Sequence, residues 1–153
     1  MTKSDPTTAA PAMPAIDDLL CFAIYSNGHA FNQLYRPLLS AIGLTYPQYL
    51  VMVALWGRDG RSVKELGDEL FLDSSTLTPL LKRMEKAGLI VRARSTEDER
   101  KVTIRLTPQG EALKQRAAHI PGCIADVVGI DAQDVKTLQH TLVTIRDRVK
   151  AKV

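Results

Sequence analysis

Leu72-Asp73-Ser74-Ser75-Thr76-Leu77-Thr78-Pro79-Leu80-Leu81-Lys82-Arg83-Met84-Glu85-Lys86-Ala87-Gly88, followed at once by Leu89-Ile90-Val91-Arg92-Ala93-Arg94, decides the fold. Leu77, Leu80, Leu81 and Met84 recur at helical spacing and mark a buried face. At 100° per residue the opposite face carries Ser75, Pro79, Lys82 and Lys86, flanked by Thr76, Thr78 and Arg83. Pro79 is tolerated only if this helix starts late or kinks, because it lacks an amide hydrogen. Just upstream, Ser62-Val63-Lys64-Glu65 is a capping box opening a short helix that reaches Leu70, and Phe71-Leu72-Asp73 breaks the two apart. Just downstream, Ile90–Arg94 and Val102–Leu106 alternate with period two around the polar segment Ser95–Lys101, which predicts a hairpin.

Two helices joined by a tight turn and followed by a two-stranded hairpin have the order of a winged helix-turn-helix, here spanning about 45–106. The residue types suit DNA. Ser74, Ser75, Thr76 and Thr78 place short hydroxyls near the start of the second helix, and Lys82, Arg83 and Lys86 place cations further along. That gradient fits base-edge and phosphate contacts in a major groove. At the hairpin, Arg94 and Lys101 flank a tip whose Arg100 fork fits a minor groove, with Asp98 two residues away to hold it.

Charge agrees. The chain nets only +3, yet between Lys82 and Arg105 eight cations meet four carboxylates. The positive excess therefore sits in one block, as a polyanion-binding surface requires, although a solvated helix and hairpin would carry charge too. At 153 residues, 45% apolar and 24% charged, the chain has the makings of one globular domain over 16–153. Residues 1–15, with Pro6, Pro11 and Pro14 among Thr and Ala, predict a disordered tail with no signal-peptide core. No run reaches the roughly 18 apolar residues of a membrane span. Two cysteines are too few for a disulfide scaffold, which points to a reducing, cytoplasmic setting. His29, His119 and His140 have no partners at metal-ligand spacing, so neither a metal nor a cofactor is expected.

The flanks are helical. From an N-cap at Asp17, the apolar residues Leu20, Ile24, Phe31, Leu34, Leu38 and Ile42 follow one stripe, which Pro37 must kink or interrupt and Gly43 ends. Thr45-Tyr46-Pro47-Gln48 opens a helix to about Trp56, and Thr107-Pro108 opens another to about Ile120, where Pro121-Gly122 disturb it. A last helix after Asp131 carries Val135, Leu138, Leu142, Ile145 and Val149. Trp56 and Met84 are expected in the core.

The run from Leu72 to Arg83, then Asp98-Glu99-Arg100, then Leu106-Thr107-Pro108-Gln109-Gly110, resembles the MarR family of bacterial transcription regulators. Leu20-Cys21-Phe22 and Leu44-Thr45-Tyr46-Pro47-Gln48-Tyr49 resemble its organic hydroperoxide repressors, the OhrR branch. The resemblance implies a mainly α winged-helix homodimer with a small two-stranded wing, dimerisation helices about 17–42 and 108–151, and a pseudo-palindromic double-stranded operator. It implies a thiol sensor at Cys21, oxidised by organic hydroperoxide, with Tyr35 and Tyr46 supplied partly by the other subunit and Tyr25 as a local neighbour. The residues agree with that reading. Cys21 lies about one turn into a helix, where the partial positive charge of the N-terminus favours anions, and phenols donate hydrogen bonds without adding charge.

Cys123 stands where some relatives carry a resolving cysteine that bridges to the partner's sensor, but about one turn early. Bridge and core residue both stay open for it. So do two other functions: a repressor released by a small ligand at the dimer interface, with Cys21 incidental, and a thiol peroxidase using Cys21. An enzyme sits poorly with the basic recognition block.

Overall fold

The structure, a computed structural model, describes residues 12–94, 98 and 101–153. Most of the expected tail, residues 1–11, lies outside the described residues, as do Arg100 and 95–97 and 99 of the hairpin tip. The elements run α1 (Leu20–Ser40), α2 (Tyr46–Gly57), β1 (Arg61–Ser62), α3 (Val63–Leu70), α4 (Ser74–Lys86), β2 (Ile90–Arg94), β3 (Val102–Leu106), α5 (Pro108–Ala117), α6 (Ile120–Val128) and α7 (Ala132–Lys150).

Local chemistry sets most of these boundaries. Ser62 Oγ accepts the Glu65 amide at 3.1 Å while Glu65 Oε2 accepts the Ser62 amide at 2.8 Å, the reciprocal pair that starts α3. Asp73, Thr107 and Asp131 cap α4, α5 and α7 through side-chain oxygens that accept the free amides of each first turn. Gln48 accepts the Thr45 amide at the head of α2. These four capped starts after Ser62, Asp73, Thr107 and Asp131 are where sequence reading placed them.

Three expectations change. The wing hairpin belongs to a three-stranded antiparallel sheet of order β1-β3-β2, because Arg61-Ser62 pairs with the open edge of β3 opposite Ile104 and Thr103. A two-residue strand leaves no alternation to read. The first helix does not start from Asp17. Ile16–Asp18 form a 3-10 turn, and α1 begins at Leu20 with Leu19 as an N-cap that offers no side-chain acceptor. Cys21 is therefore the second residue of α1 rather than a turn inside it. The helix after Thr107 stops at Ala117, and Pro121 sits in the first turn of α6 instead of disturbing a longer helix. A proline has no amide to lose there and its fixed φ suits a helix start.

Neither internal proline breaks its helix. α1 runs through Pro37 to Ser40, and α4 starts at Ser74 and runs through Pro79. Pro79 is the sixth residue of α4, so the bond it cannot make is the one to the Ser75 carbonyl, in the first turn.

The core sits where the winged motif meets the ends of the flanking helices. Leu39, Val51, Met52, Leu55, Leu66, Leu77, Leu81, Met84, Ile90, Ile104 and Ile120 are all but sealed from solvent. Met84 is in it as expected; Trp56 is half-buried, its indole N–H donating to the Gly110 carbonyl at 3.0 Å across α2 and α5. The outer parts of α1 and α7 behave differently. Leu20, Ile24 and Phe31 on α1, and Leu138, Leu142 and Val149 on α7, keep the expected helical spacing yet stay exposed, and α7 buries no residue. Among the described residues no helix is long and apolar enough to cross a membrane.

Candidate nucleic-acid interface and thiol site

α4 presents the polar face read from its spacing. Ser74, Ser75, Thr76, Pro79, Lys82, Arg83 and Lys86 are exposed and Thr78 is half-buried, behind a buried row of Leu77, Leu80, Leu81 and Met84. The N-terminal hydroxyls are already organised. Ser75 Oγ donates to Asp73 Oδ1, and Thr76 Oγ1 donates to Asp73 Oδ2 at 3.4 Å. Those donations, with the Thr76 amide at 2.9 Å, hold the Asp73 carboxyl below its ordinary value, Ser75 contributing most. Asp73 thus fixes the start of α4 and aims two hydroxyls, whose oxygens keep lone pairs for a ligand.

On the wing, Arg94 ends β2 exposed and Lys101 stands exposed before β3, its amide donating to the Asp98 carbonyl at 2.9 Å. Asp98 is half-buried. The wing rests on α4 through Glu85, whose carboxylate accepts the Arg92 amide.

The thiol side divides in two. Cys21 is exposed in the first turn of α1. Tyr25, one turn on, is exposed and meets His29 edge-on at 4.5 Å between ring centroids. The other expected phenols lie elsewhere. Tyr35 packs on Tyr46 across α1 and α2 at 4.8 Å, and Tyr49 closes the group at 5.9 Å from Tyr35. Burial first, then the neighbouring phenols Tyr46 and Tyr49, push the Tyr35 hydroxyl above its ordinary value. Near neutral pH it is therefore an uncharged donor. From Cys21 to Tyr35 is fourteen residues of one helix, roughly 21 Å at 1.5 Å per residue. One chain holds the cysteine and the tyrosine pair apart.

Tyr49, 7% exposed, went unassigned in the sequence, although its three-residue spacing from Tyr46 places both on one face of α2. Cys123 is half-buried in the first turn of α6, its amide bonded to the His119 carbonyl. It makes no disulfide with Cys21.

A family model described as "Transcriptional regulator SarA/Rot" matches residues 33–117. The organic hydroperoxide resistance transcriptional regulator of Bacillus subtilis is 44% identical over 137 residues, covering 90% of this chain and 93% of its own. This chain belongs to the MarR family, on the organic hydroperoxide regulator branch. The regulator is also 46% identical to the HTH-type regulator TtmR of Methylorubrum extorquens, over 90% of this chain and 71% of that one. Among solved structures, reduced AbfR bound to DNA superposes with a TM-score of 0.73 at 32% identity, covering 85% of this chain and 91% of that one. AbfR, from Staphylococcus epidermidis, is also known overoxidised on DNA and in a disulfide form. The regulator's likeness to the disulfide form is lower, at a TM-score of 0.59. It superposes about equally on the reduced and the overoxidised DNA-bound forms, at TM-scores of 0.73 and 0.72.

Proposed function

We propose that this regulator is a homodimeric, redox-sensing transcriptional repressor of the cytoplasm, a single domain over 16–153, that leaves its operator when organic hydroperoxide oxidises Cys21. The observation carrying it is the division of the thiol site. An exposed Cys21 at one end of α1 and a packed Tyr35–Tyr46 pair near the other make one sensor only when a second protomer lays its α1 across the first. The exposed apolar stripes of α1 and α7 supply the surface for that docking. A relative named for organic hydroperoxide resistance supports the oxidant, and AbfR caught reduced, overoxidised and disulfide-bonded supports thiol chemistry as the signal.

The chemistry follows from the groups present. The Cys21 thiolate attacks the terminal oxygen of R–O–O–H and the O–O bond breaks. Sulfur is oxidised to the sulfenic acid Cys–S–OH, and the peroxide is reduced to R–OH after taking one proton. Phenols at Tyr35 and Tyr46 of the facing protomer donate to the thiolate before the step, and Tyr25 lines the cysteine's own helix. Condensation of the sulfenic acid with the partner's Cys123 thiol would release water and form a disulfide. On DNA, α4 enters the major groove with Ser74, Ser75, Thr76, Thr78 and Pro79 toward base edges, and Lys82, Arg83 and Lys86 toward phosphates. Arg94, Asp98, Arg100 and Lys101 serve the wing. Nothing in this cycle turns over a substrate, so the protein is not an enzyme in this reading.

The test is operator binding before and after one equivalent of cumene hydroperoxide, with mass analysis of Cys21, in wild type and Cys21→Ser. Wild type should release DNA as Cys21 gains oxygen, and Cys21→Ser should bind but not release. Release that persists in Cys21→Ser would assign induction to a ligand instead.

A further inference from the structure

The end of α7 carries Arg146, Arg148 and Lys150, with Lys152 just after it, against a single side-chain carboxylate, Asp147, a second basic cluster far in sequence from the block between Lys82 and Arg105. α7 buries none of its own residues, yet its last turns return to the turn between α3 and α4. The Arg146 guanidinium carbon lies 4.2 Å from the Phe71 ring centroid and Lys150 Nζ lies 3.8 Å from it. Phe71 is 46% exposed and holds φ 55°, the only positive φ of a non-glycine residue among those described. That left-handed cap ends α3 and sets the chain up for Asp73 and α4.

Two like charges one turn apart on a helix repel each other. The ring attracts both but brings no counter-charge. Arg146 has Asp147 at 2.8 Å, whereas among the described residues no carboxylate lies within ion-pairing distance of Lys150. A cation against an aromatic face also keeps N–H donors turned away from the ring. We propose that Phe71, Lys150 and Arg146 form a phosphate seat beside the recognition helix. Through it the end of α7 grips the backbone of the duplex that α4 enters. The site deepens the DNA-binding reading and rests on it. It adds a sequence-independent grip from the element that also carries the exposed apolar stripe.

Salt dependence tests it directly. Removing one cation from a phosphate lowers the slope of log K against log salt by about one, so roughly two for a dimer. Lys150→Gln is expected to show that drop equally on operator and on a random-sequence duplex, with an unchanged thermal midpoint. Phe71→Leu, which removes the ring and no charge, is expected to lower the slope too, and Phe71→Tyr to restore it. A wild-type slope in Lys150→Gln on both duplexes overturns the seat. Weaker binding at unchanged slope overturns it as well, leaving the cluster a packing strut. The hydroperoxide response, read on the same samples, is separate. Wild type that binds with a steep slope but ignores cumene hydroperoxide would sink the redox reading and leave the seat standing.

Discussion

Gly110 has no room for a side chain. A Cβ there would stand 2.1 Å from the Leu89 carbonyl oxygen, backbone that cannot swing aside, and the Gly110 carbonyl also receives the Trp56 indole. Gly110→Ala is expected to cost about 3 kcal/mol, read as a lower urea midpoint, since α5 must move off the strand it packs against. Gly122 meets nothing within 4 Å, and Gly122→Ala should stabilise α6 by about 0.5–1 kcal/mol in the same assay. The tyrosines belong to this scale also. If Tyr35 donates to the facing thiolate, Tyr35→Phe removes one charge-assisted hydrogen bond, and oxidation of Cys21 should slow roughly tenfold. The same holds for Tyr46→Phe. Wild-type oxidation rates in both variants would dismantle the phenol network.

Helix starts were the most legible elements because a cap is local: an oxygen at one residue meets an amide two or three residues on. Ser62, Asp73, Thr107 and Asp131 could be read from spacing alone. Asp17 could not, since it has the residue type of a cap but lies in a 3-10 turn that ends before α1 begins. β1 was illegible for the opposite reason: its two residues are a strand only because β3 lies alongside. The caps carry a pH signature. Hydrogen bonds from the Ser62 amide and from Arg58 hold the Glu65 carboxyl down to about 2, and those from Ser75 and Thr76 lower Asp73. A carboxyl whose folded value is depressed contributes stability above its unfolded value. That contribution fades as pH falls through the folded value. The thermal midpoint should therefore decline between about pH 4.5 and about 2, and Glu65→Gln should flatten part of that decline.

For the whole molecule, periodicity showed the apolar faces of α1 and α7 but not what they touch. A stripe spaced for burial looks the same whether its own chain or a second chain covers it. Leu138, 51% exposed, and Leu142, 41% exposed, are expected to lie in the dimer contact. Leu138→Arg with Leu142→Glu should shift sedimentation toward monomer and lower operator affinity by at least tenfold, because one motif alone reaches only half of the operator. The division of the thiol site was legible only through the family resemblance, which implies tyrosines supplied partly by the other subunit; the length of α1 between Cys21 and Tyr35 adds a physical reason for it. Cys123 adds a redox assay at this scale. A bridge to Cys21 of the other protomer should give a dimer band on non-reducing gels after mild hydroperoxide, and Cys123→Ser should abolish that band.

If Cys21 meets Tyr35 and Tyr46 only across two chains, as proposed, the sensor is a shared possession, and shared sites obey genetics of their own. A chain with Ser at 21 keeps good tyrosines; a chain with Phe at 35 and 46 keeps a good cysteine. Each homodimer is then expected to respond slowly or not at all. Unfolded together and refolded, the two would also form mixed dimers. There the surviving Cys21 would face the surviving Tyr35 and Tyr46, while the second site would be broken twice over. Complementation of this kind, a peroxide response regained by mixing two impaired proteins, is expected here. It would be impossible if every sensor were built from one chain.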